Sequence, residues 1–438
     1  MILQPSFRER ISYFRQHTFV RNVATLQLGS FLGNFIQALI GVFLARLLQP
    51  ERYGIYAIAF SLASLVFITT GVQEAVTVAL AETYTKRDKE GTRNALAFFV
   101  KFTAIFAILT VIVALFLPTI GKIFYHNSSV GIYAAIVVIA SVISSTLFML
   151  VMIVLQAMGK IRVMNLLGIT DQSIRYIFSL IMVIAGFGVL GAALGHFFGA
   201  LIVFVISGFL WEKLRIGEKL FPSLRSLVKH IKTASLKKYL GFSLWITVDK
   251  NIASLYAILP VLLAGIFLSS SQVTFFKLAF GYVNLALSLL GPISTLLNFE
   301  FPKMKIEESG KLRSNFIRVS LYSMGLSVLL TLGAIVTAPF VFKIIYGKAF
   351  LSSVHYVTAL LVYGCLFGIG VGLGPMWRAI DKVRVSIIIN AVVMLTGIPL
   401  GLFLISSFGL VGAVAMVTVW FSVSHLISFF YLINHIDI

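Results

Sequence analysis

The chain has 438 residues, of which 59% are hydrophobic and 11% are charged, and its mean hydropathy is +1.01. A soluble domain carries roughly a quarter charged residues, so this composition excludes an ordinary soluble protein and predicts an all-α polytopic membrane protein. The net charge of +20 does not indicate a nucleic-acid partner, because cytoplasmic loops of membrane proteins are themselves enriched in Lys and Arg.

From the N-terminus onward, apolar runs long enough to cross a bilayer predict about twelve transmembrane helices. Their ranges are 23–48, 54–81, 95–118, 130–157, 165–187, 189–211, 240–265, 273–299, 315–338, 353–376, 385–405 and 409–433. Residues 1–22 are predicted to form a cytoplasmic amphipathic segment. The basic connection 212–239 is predicted to be a cytoplasmic linker between two six-helix halves, 23–211 and 240–438.

The basic residues predict the orientation of the chain. Most of the 35 Lys and Arg residues lie in alternate connections between the spans. Since cytoplasmic loops carry the excess of positive charge, both termini are predicted to be cytoplasmic.

Short segments recur after 221 or 222 residues. PTIGKIFY (118–125) is similar to PFVFKIIY (339–346), QAMGKIRV (156–163) to RAIDKVRV (378–385), and FGVLGA (187–192) to FGLVGA (408–413). Because each half contains an even number of spans, the halves are predicted to be parallel repeats. Transporters built this way place their substrate in a central cavity between the repeats.

The first span contains a polar stripe at i, i+3, i+7 and i+10, within about 80° of the helix circumference. Its members are Gln27, Ser30, Asn34 and Gln37. Two interpretations stay open. The stripe lines a cavity for substrate, or it packs against another helix, as the GxxxG of Gly29 and Gly33 favours.

Charged residues inside the predicted spans are the other candidates, because ionisable groups are costly in hydrocarbon. Asp171 and Arg175 have the i, i+4 spacing of a helical ion pair, and Arg175 and Lys250 each lie about 15 Å into their spans. They could form an anion site with one cation from each half, or Asp171 could simply neutralise Arg175. The face of Lys250 also contains Thr247, Asn251 and Ser254. The candidates for ion coupling, to H⁺ or Na⁺, are Glu74, Asp171 and Asp249.

Within the linker, an apolar face of Leu224, Leu227, Val228 and Ile231 beside basic residues predicts a helix on the inner leaflet, with anionic membrane lipids as partners. The sequence contains no phosphate-binding loop, no cluster of metal ligands and no nucleophile spaced for a base. We therefore expect no metal, no cofactor and no enzymatic activity.

Several segments resemble the polysaccharide flippases of the MATE-like (multidrug/oligosaccharidyl-lipid/polysaccharide, MOP) superfamily. They are ARLLQPERYGIYAIAFSLASL (45–65), VLQAMGKIRVMN (154–165), the Asp249-Lys250 element and FGLVGAVAMVTV (408–419). The resemblance implies a multi-pass protein of the bacterial inner membrane that moves undecaprenyl-pyrophosphate-linked oligosaccharide to the outer leaflet by alternating access, often coupled to an ion. A polysaccharide polymerase or export machinery is a candidate partner, and action without such a partner stays open. The alternative is a MATE-type multidrug or cation antiporter.

Overall fold

The computed structural model describes residues 18–67, 72–232, 237–307 and 309–436, and in these residues its regular structure is helical throughout. The predicted N-terminal segment 1–22 lies outside them as far as residue 17. In chain order the α-helices are α1 (Thr18–Val66), α2 (Val72–Thr85), α3 (Lys89–Tyr125), α4 (Ser128–Ala157), α5 (Ile161–Met182), α6 (Gly188–Gly217), α7 (Leu224–His230), α8 (Lys237–Phe267), α9 (Ser270–Leu287), α10 (Gly291–Glu307), α11 (Ser309–Val341), α12 (Ser352–Ala359), α13 (Leu361–Phe367), α14 (Leu373–Ala379) and α15 (Val383–His435).

Among the described residues, seven helices are long and apolar enough to cross a membrane, and an eighth span is added if the bent pair Lys348–Ala359 and Leu361–Ala379 is one span. This number is smaller than the twelve predicted because some continuous helices contain two predicted spans, and because Asn251–Phe267 of α8 is a shorter apolar helix. Non-helical residues interrupt them at Gln49 in α1, at Gly186 between α5 and α6, and at Gly409 in α15.

The helices α5 and α6 fold back on each other through glycines. A Cβ atom on Gly199 would lie 2.6 Å from the Cα of Arg175, and one on Gly191 would lie 2.9 Å from the carbonyl oxygen of Met182. A Cβ on Gly195 would overlap the backbone of Ser179. As residue numbers rise along one helix, they fall along the other, so the pair is antiparallel and its backbones are in contact.

The C-terminal helix α15 contains a second hairpin of the same kind. Gly397 and Gly401, before the break at Gly409, pack against the side chains of Trp420 and Met416 after it. After the break, Gly412 lies against the backbone carbonyl of Leu404. Small residues again allow two antiparallel segments to approach closely.

Left-handed backbone positions also recur at the repeat offset. His126 and Gly347 have φ of 51° and 102°, and Gly159 and Asp381 have φ of 68° and 61°. These pairs are separated by 221 and 222 residues. Positive φ therefore occurs at matching positions of the sequence repeat.

Two compact units are present. Unit 1 contains the described residues of Met1–Phe43, Thr69–Leu117 and Ala135–Thr247, and unit 2 those of Leu44–Ile68, Pro118–Ala134 and Val248–Ile438. Unit 2 therefore includes parts of the predicted first half. In its segment Leu44–Ile68, Arg46 donates hydrogen bonds to the carbonyls of Ile344 (2.8 Å) and Tyr346 (3.4 Å).

The linker contains a short helix, α7, that differs from its predicted position on the leaflet. Leu227 is fully buried and packs in the core of unit 1 with Trp211 and Phe221. Val228, predicted on the same apolar face, is 60% exposed. The prediction that this face lies on the lipid is therefore wrong for Leu227, since the protein core itself covers this residue.

Candidate functional site

The first half of α1 has three distinct faces along Phe31–Phe43. Gly33 and Ile40 are buried, and Phe31, Phe35 and Leu39 form an apolar face that is 47–61% exposed. The polar stripe lies between these faces, and its members Asn34 and Gln37 are exposed. The side chains of Gln27 and Ser30 lie outside the described residues.

The glycines of α1 pack against α5. Asn165 donates a 2.7 Å hydrogen bond to the carbonyl of Thr25 and covers Gly29, while a Cβ on Gly33 would lie 2.7 Å from the side-chain oxygen of Gln172. The contact that the packing interpretation predicted is thus present at Gly29 and Gly33, while cavity lining by the stripe stays a prediction. The GxxxG face makes the helix contact, and Asn34 and Gln37 are left exposed beside it.

Gln37 connects this polar stripe to α5 and α6. Its amide donates a 2.5 Å hydrogen bond to the hydroxyl of Tyr176, whose ring stands perpendicular to that of His196 with 5.1 Å between the ring centres. The Ser179 hydroxyl donates to the carbonyl of Ala192 (2.8 Å) and lies 3.0 Å from Nδ1 of His196. Since a hydroxyl has one hydrogen, Ser179 accepts its second hydrogen bond from that nitrogen.

The predicted ion pair of α5 forms inside unit 1. Arg175 donates from Nε to Oδ1 of Asp171 at 2.8 Å and from Nη2 to both carboxylate oxygens at 2.6 Å. The side chains are only 14% and 10% exposed. The pair is electrically neutral as a unit, so Asp171 occupies the guanidinium that was predicted to bind an anion.

The other predicted residues belong to α8 and α2. In α8, Thr247 and Asn251 are half-buried and Ser254 is exposed, while the side chains of Asp249 and Lys250 lie outside the described residues. Glu74 lies in the first turn of α2 and is half-buried. A carboxylate there also stabilises the positive end of the helix dipole.

Unit 2 contains a polar cavity that the sequence did not indicate. Its volume is about 280 Å³, and α8, α14 and both segments of α15 contribute to its lining. Tyr256 donates to the carbonyl of Asn390 (3.2 Å), and Ser424 donates to the side-chain oxygen of Asn390 (2.6 Å). His425 also lines this cavity. The wall therefore offers amide, hydroxyl and imidazole groups as hydrogen-bond donors and acceptors.

Lys277 of α9 is another residue that the sequence analysis did not assign to the site. It is half-buried in a span-forming helix of unit 2. No ion pair to it occurs among the residues that the structure describes. A polar residue in an apolar run was its visible signal, but its distance from other charges could not be read from the sequence.

The sequence matches a family model described as polysaccharide biosynthesis protein over residues 43–355. No curated protein gives a significant match.

Solved structures with a similar fold include an inward-facing multidrug resistance MATE family transporter of the MOP superfamily, with a TM-score of 0.73 at 16% identity, covering 95% of this chain and 98% of that one. The lipid II flippase MurJ in an inward closed conformation has a TM-score of 0.68 at 15% identity, covering 94% and 87%. A MOP superfamily transporter from Pyrococcus furiosus has a TM-score of 0.58 at 15% identity, covering 95% of each chain.

At these identities the similarity shows the fold. The chain is an all-helical, multi-pass membrane protein with a MATE-like transporter fold.

Proposed function

The chain belongs to the polysaccharide biosynthesis protein family, and on that premise we propose that it is a flippase for a lipid-linked oligosaccharide. The proposed cargo is an undecaprenyl-pyrophosphate-linked repeat unit, moved from the inner to the outer leaflet of a bacterial inner membrane by alternating access. Twelve spans in two parallel six-helix halves around a central cavity, with both termini in the cytoplasm, are part of the same proposal.

The observation that carries the proposal is the exposed polar face of α1. Along residues 31–39, Asn34 and Gln37 are exposed beside apolar side chains that are also exposed, Phe31, Phe35 and Leu39 among them. An apolar face is suited to lipid, whereas amides in a membrane span are costly unless they face water or a polar partner. Amide groups both donate and accept hydrogen bonds, as recognition of sugar hydroxyls requires.

The ion pair of α5 provides a mechanism for coupling. Asp171 holds Arg175 with three hydrogen bonds in a mostly buried position. Protonation of Asp171 would remove its negative charge and free the guanidinium for the pyrophosphate of the cargo. Proton binding and anion binding would then favour each other by linkage. Lys250 remains the proposed cation of the second half.

The polar cavity of unit 2 supports a sugar-containing cargo. Asn390, Ser424 and Tyr256 place neutral hydrogen-bonding groups around it. Among the described residues of the lining there is no carboxylate, whereas a site for organic cations is expected to offer negative charge. In unit 1, the buried carboxylate of Asp171 is paired with Arg175, which makes this carboxylate a poor site for an organic cation.

The test is translocation in proteoliposomes that contain fluorescent undecaprenyl-pyrophosphate oligosaccharide, with an external glycosidase to report lipid that has crossed. Wild type is compared with Asn34→Ala and Gln37→Ala. Phe35→Ala is the matched control, because it removes an exposed side chain of the same helix from the apolar face. We expect about tenfold slower flipping in the double variant Asn34→Ala/Gln37→Ala and less than twofold change in Phe35→Ala.

Two results would contradict the proposal. Wild-type protein that inserts correctly and moves no lipid-linked sugar, but exports cationic dyes, would identify a drug exporter. Equal flipping rates of the polar double variant and of Phe35→Ala would show that transport does not depend on the polar face of α1.

A further inference from the structure

A second cavity, with a volume of about 540 Å³, lies in unit 1 where α4 ends, α5 begins and α6 ends. Much of its wall is apolar, including Leu155, Leu210 and Leu214. Its polar and charged lining residues are Tyr84, Lys160, Lys213 and Glu218. The cavity belongs to the end of unit 1 that is predicted to be cytoplasmic, and it is separate in sequence from Asn34, Gln37 and the ion pair.

The cavity wall carries two lysines and one carboxylate, Glu218, which is paired with Arg87. Both lysines are exposed, and neither has an ion-pair partner among the residues that the structure describes. The neighbouring carboxylates are already occupied. Glu218 pairs with Arg87 at 2.8 Å, and Glu212 pairs with Arg215 at 2.7 Å. Two cationic side chains therefore remain available to an anion.

The cavity also borders an exposed apolar surface. Val163 lines it and is 44% exposed, and Leu166, one turn further along α5, is 65% exposed. On α6, Phe209 and Ile216 are each 75% exposed beside the lining residues. Exposed apolar side chains on two helices of a membrane protein are suited to contact with acyl chains. A ligand of this cavity can thus extend directly into the bilayer.

We propose that this cavity binds an anionic phospholipid of the cytoplasmic leaflet. Lys160 and Lys213 hold the phosphate of the headgroup, and one acyl chain lies along Val163 and Leu166. A free inorganic anion would use the lysines but leave the apolar wall unoccupied, so the combination favours an amphiphile. Neither lysine belongs to the proposed transport site, and this binding does not depend on which cargo the protein moves.

The test measures binding of fluorescent phosphatidylglycerol and phosphatidylcholine to the full-length protein in detergent micelles. A basic residue near an anionic lipid surface contributes about fivefold in affinity. We therefore expect wild type to prefer phosphatidylglycerol at least tenfold, and Lys160→Gln/Lys213→Gln to bind it about 25-fold more weakly. Lys219→Gln/Lys229→Gln is the matched control, because it removes two exposed lysines that do not line the cavity, and it should change binding less than twofold.

A second variant tests the apolar part. Leu210→Trp fills the cavity from its wall, and we expect it to weaken phosphatidylglycerol binding without removing a charge. Equal binding of both lipids by wild type, or an unchanged preference in the Lys160/Lys213 variant, would overturn the proposal. So would inorganic phosphate that displaces the fluorescent lipid at equal concentration, since the site would then recognise the anion alone. The measurement needs no transport, so its failure is distinct from failure of the flippase proposal.

Discussion

Gly188 and Gly409, 221 residues apart, have almost the same backbone conformation. Gly188 has φ 54° and ψ −137°, and Gly409 has φ 58° and ψ −132°. Each follows a phenylalanine and begins the second segment of an antiparallel helical hairpin. Positive φ with such a ψ is reached by glycine and is strongly unfavourable for residues with a Cβ. The repeat in the sequence thus coincides with a repeat in backbone geometry.

We predict that Gly188→Ala and Gly409→Ala each lower the free energy of unfolding by about 1–3 kcal/mol, the usual range for a strained backbone position. No steric clash contributes, since a Cβ at Gly188 meets nothing within 4 Å and one at Gly409 meets only Leu268, at 4.0 Å. The measurement is thermal unfolding in detergent. Gly325→Ala is the control, because Gly325 lies in open space within α11 and alanine favours a helix. Equal melting temperatures for all three variants would contradict the strain argument.

Close packing of α5 and α6 predicts a larger effect at Gly195. A Cβ there would overlap the backbone of Ser179, which cannot move as a side chain does. We expect Gly195→Ala to separate the hairpin and to reduce the yield of folded protein severalfold, as measured by size-exclusion chromatography. Gly208→Ala, in the same helix, should behave like wild type because its nearest neighbour is a flexible side chain at 3.6 Å. A normal yield of Gly195→Ala would show that this contact is not tight.

The buried ion pair predicts strongly non-additive mutations. Arg175→Met alone leaves the carboxylate of Asp171 buried without its partner, and we expect a loss of about 3–5 kcal/mol. Asp171→Leu/Arg175→Met removes both charges, and its free energy of unfolding should lie within about 1 kcal/mol of that of wild type. Chemical denaturation of the single and double variants measures this coupling.

The same double variant separates folding from transport. If the pair serves the cargo, the stable double variant should flip lipid-linked oligosaccharide at least tenfold more slowly than wild type. Asp171→Asn, which leaves Arg175 in place, should flip at a rate that no longer depends on pH. Wild-type transport by the double variant would leave the pair with a structural role alone.

The packing of α7 predicts a large loss of stability at Leu227 and a small one at the adjacent Val228. Leu227→Ala removes a fully buried side chain from the core of unit 1 and should cost about 2–5 kcal/mol. Val228→Ala, at a side chain that is 60% exposed, should change stability by less than about 0.5 kcal/mol. Amide hydrogen exchange of 218–232 is the direct measurement. Equal protection in both variants would mean that Leu227 does not hold this segment.

The sequence predicted the features that depend on neighbouring residues. Four short segments indicated a polysaccharide family with a MATE-like fold, and the family match and the solved structures show that family and that fold. The i, i+4 spacing predicted the pairing of Asp171 with Arg175, because that contact is fixed by helical geometry. Apolar runs also predicted helices close to those observed, including the two joined at Gly409.

Contacts between distant residues were not predictable in this way. Gln37 meets Tyr176, and Tyr256 meets Asn390, only after their helices pack. No spacing along the chain links the two members of either pair. The prediction that the apolar face of α7 lies on lipid was wrong at Leu227 for a related reason. An amphipathic pattern identifies an apolar face but does not say whether lipid or protein covers it, and Leu227 lies on the protein.

The reversals at Gly188 and Gly409 also bear on how the protein is made. Between Tyr176 and Trp211 the sequence contains no Asp, Glu, Lys or Arg, and the same holds between Val385 and Ile436. Neither hairpin therefore has a charged loop that could hold one helix at the far side of the membrane while its partner is still being synthesised. Each pair is expected to enter the bilayer from the insertion machinery as a single hairpin, with the glycine turn leading.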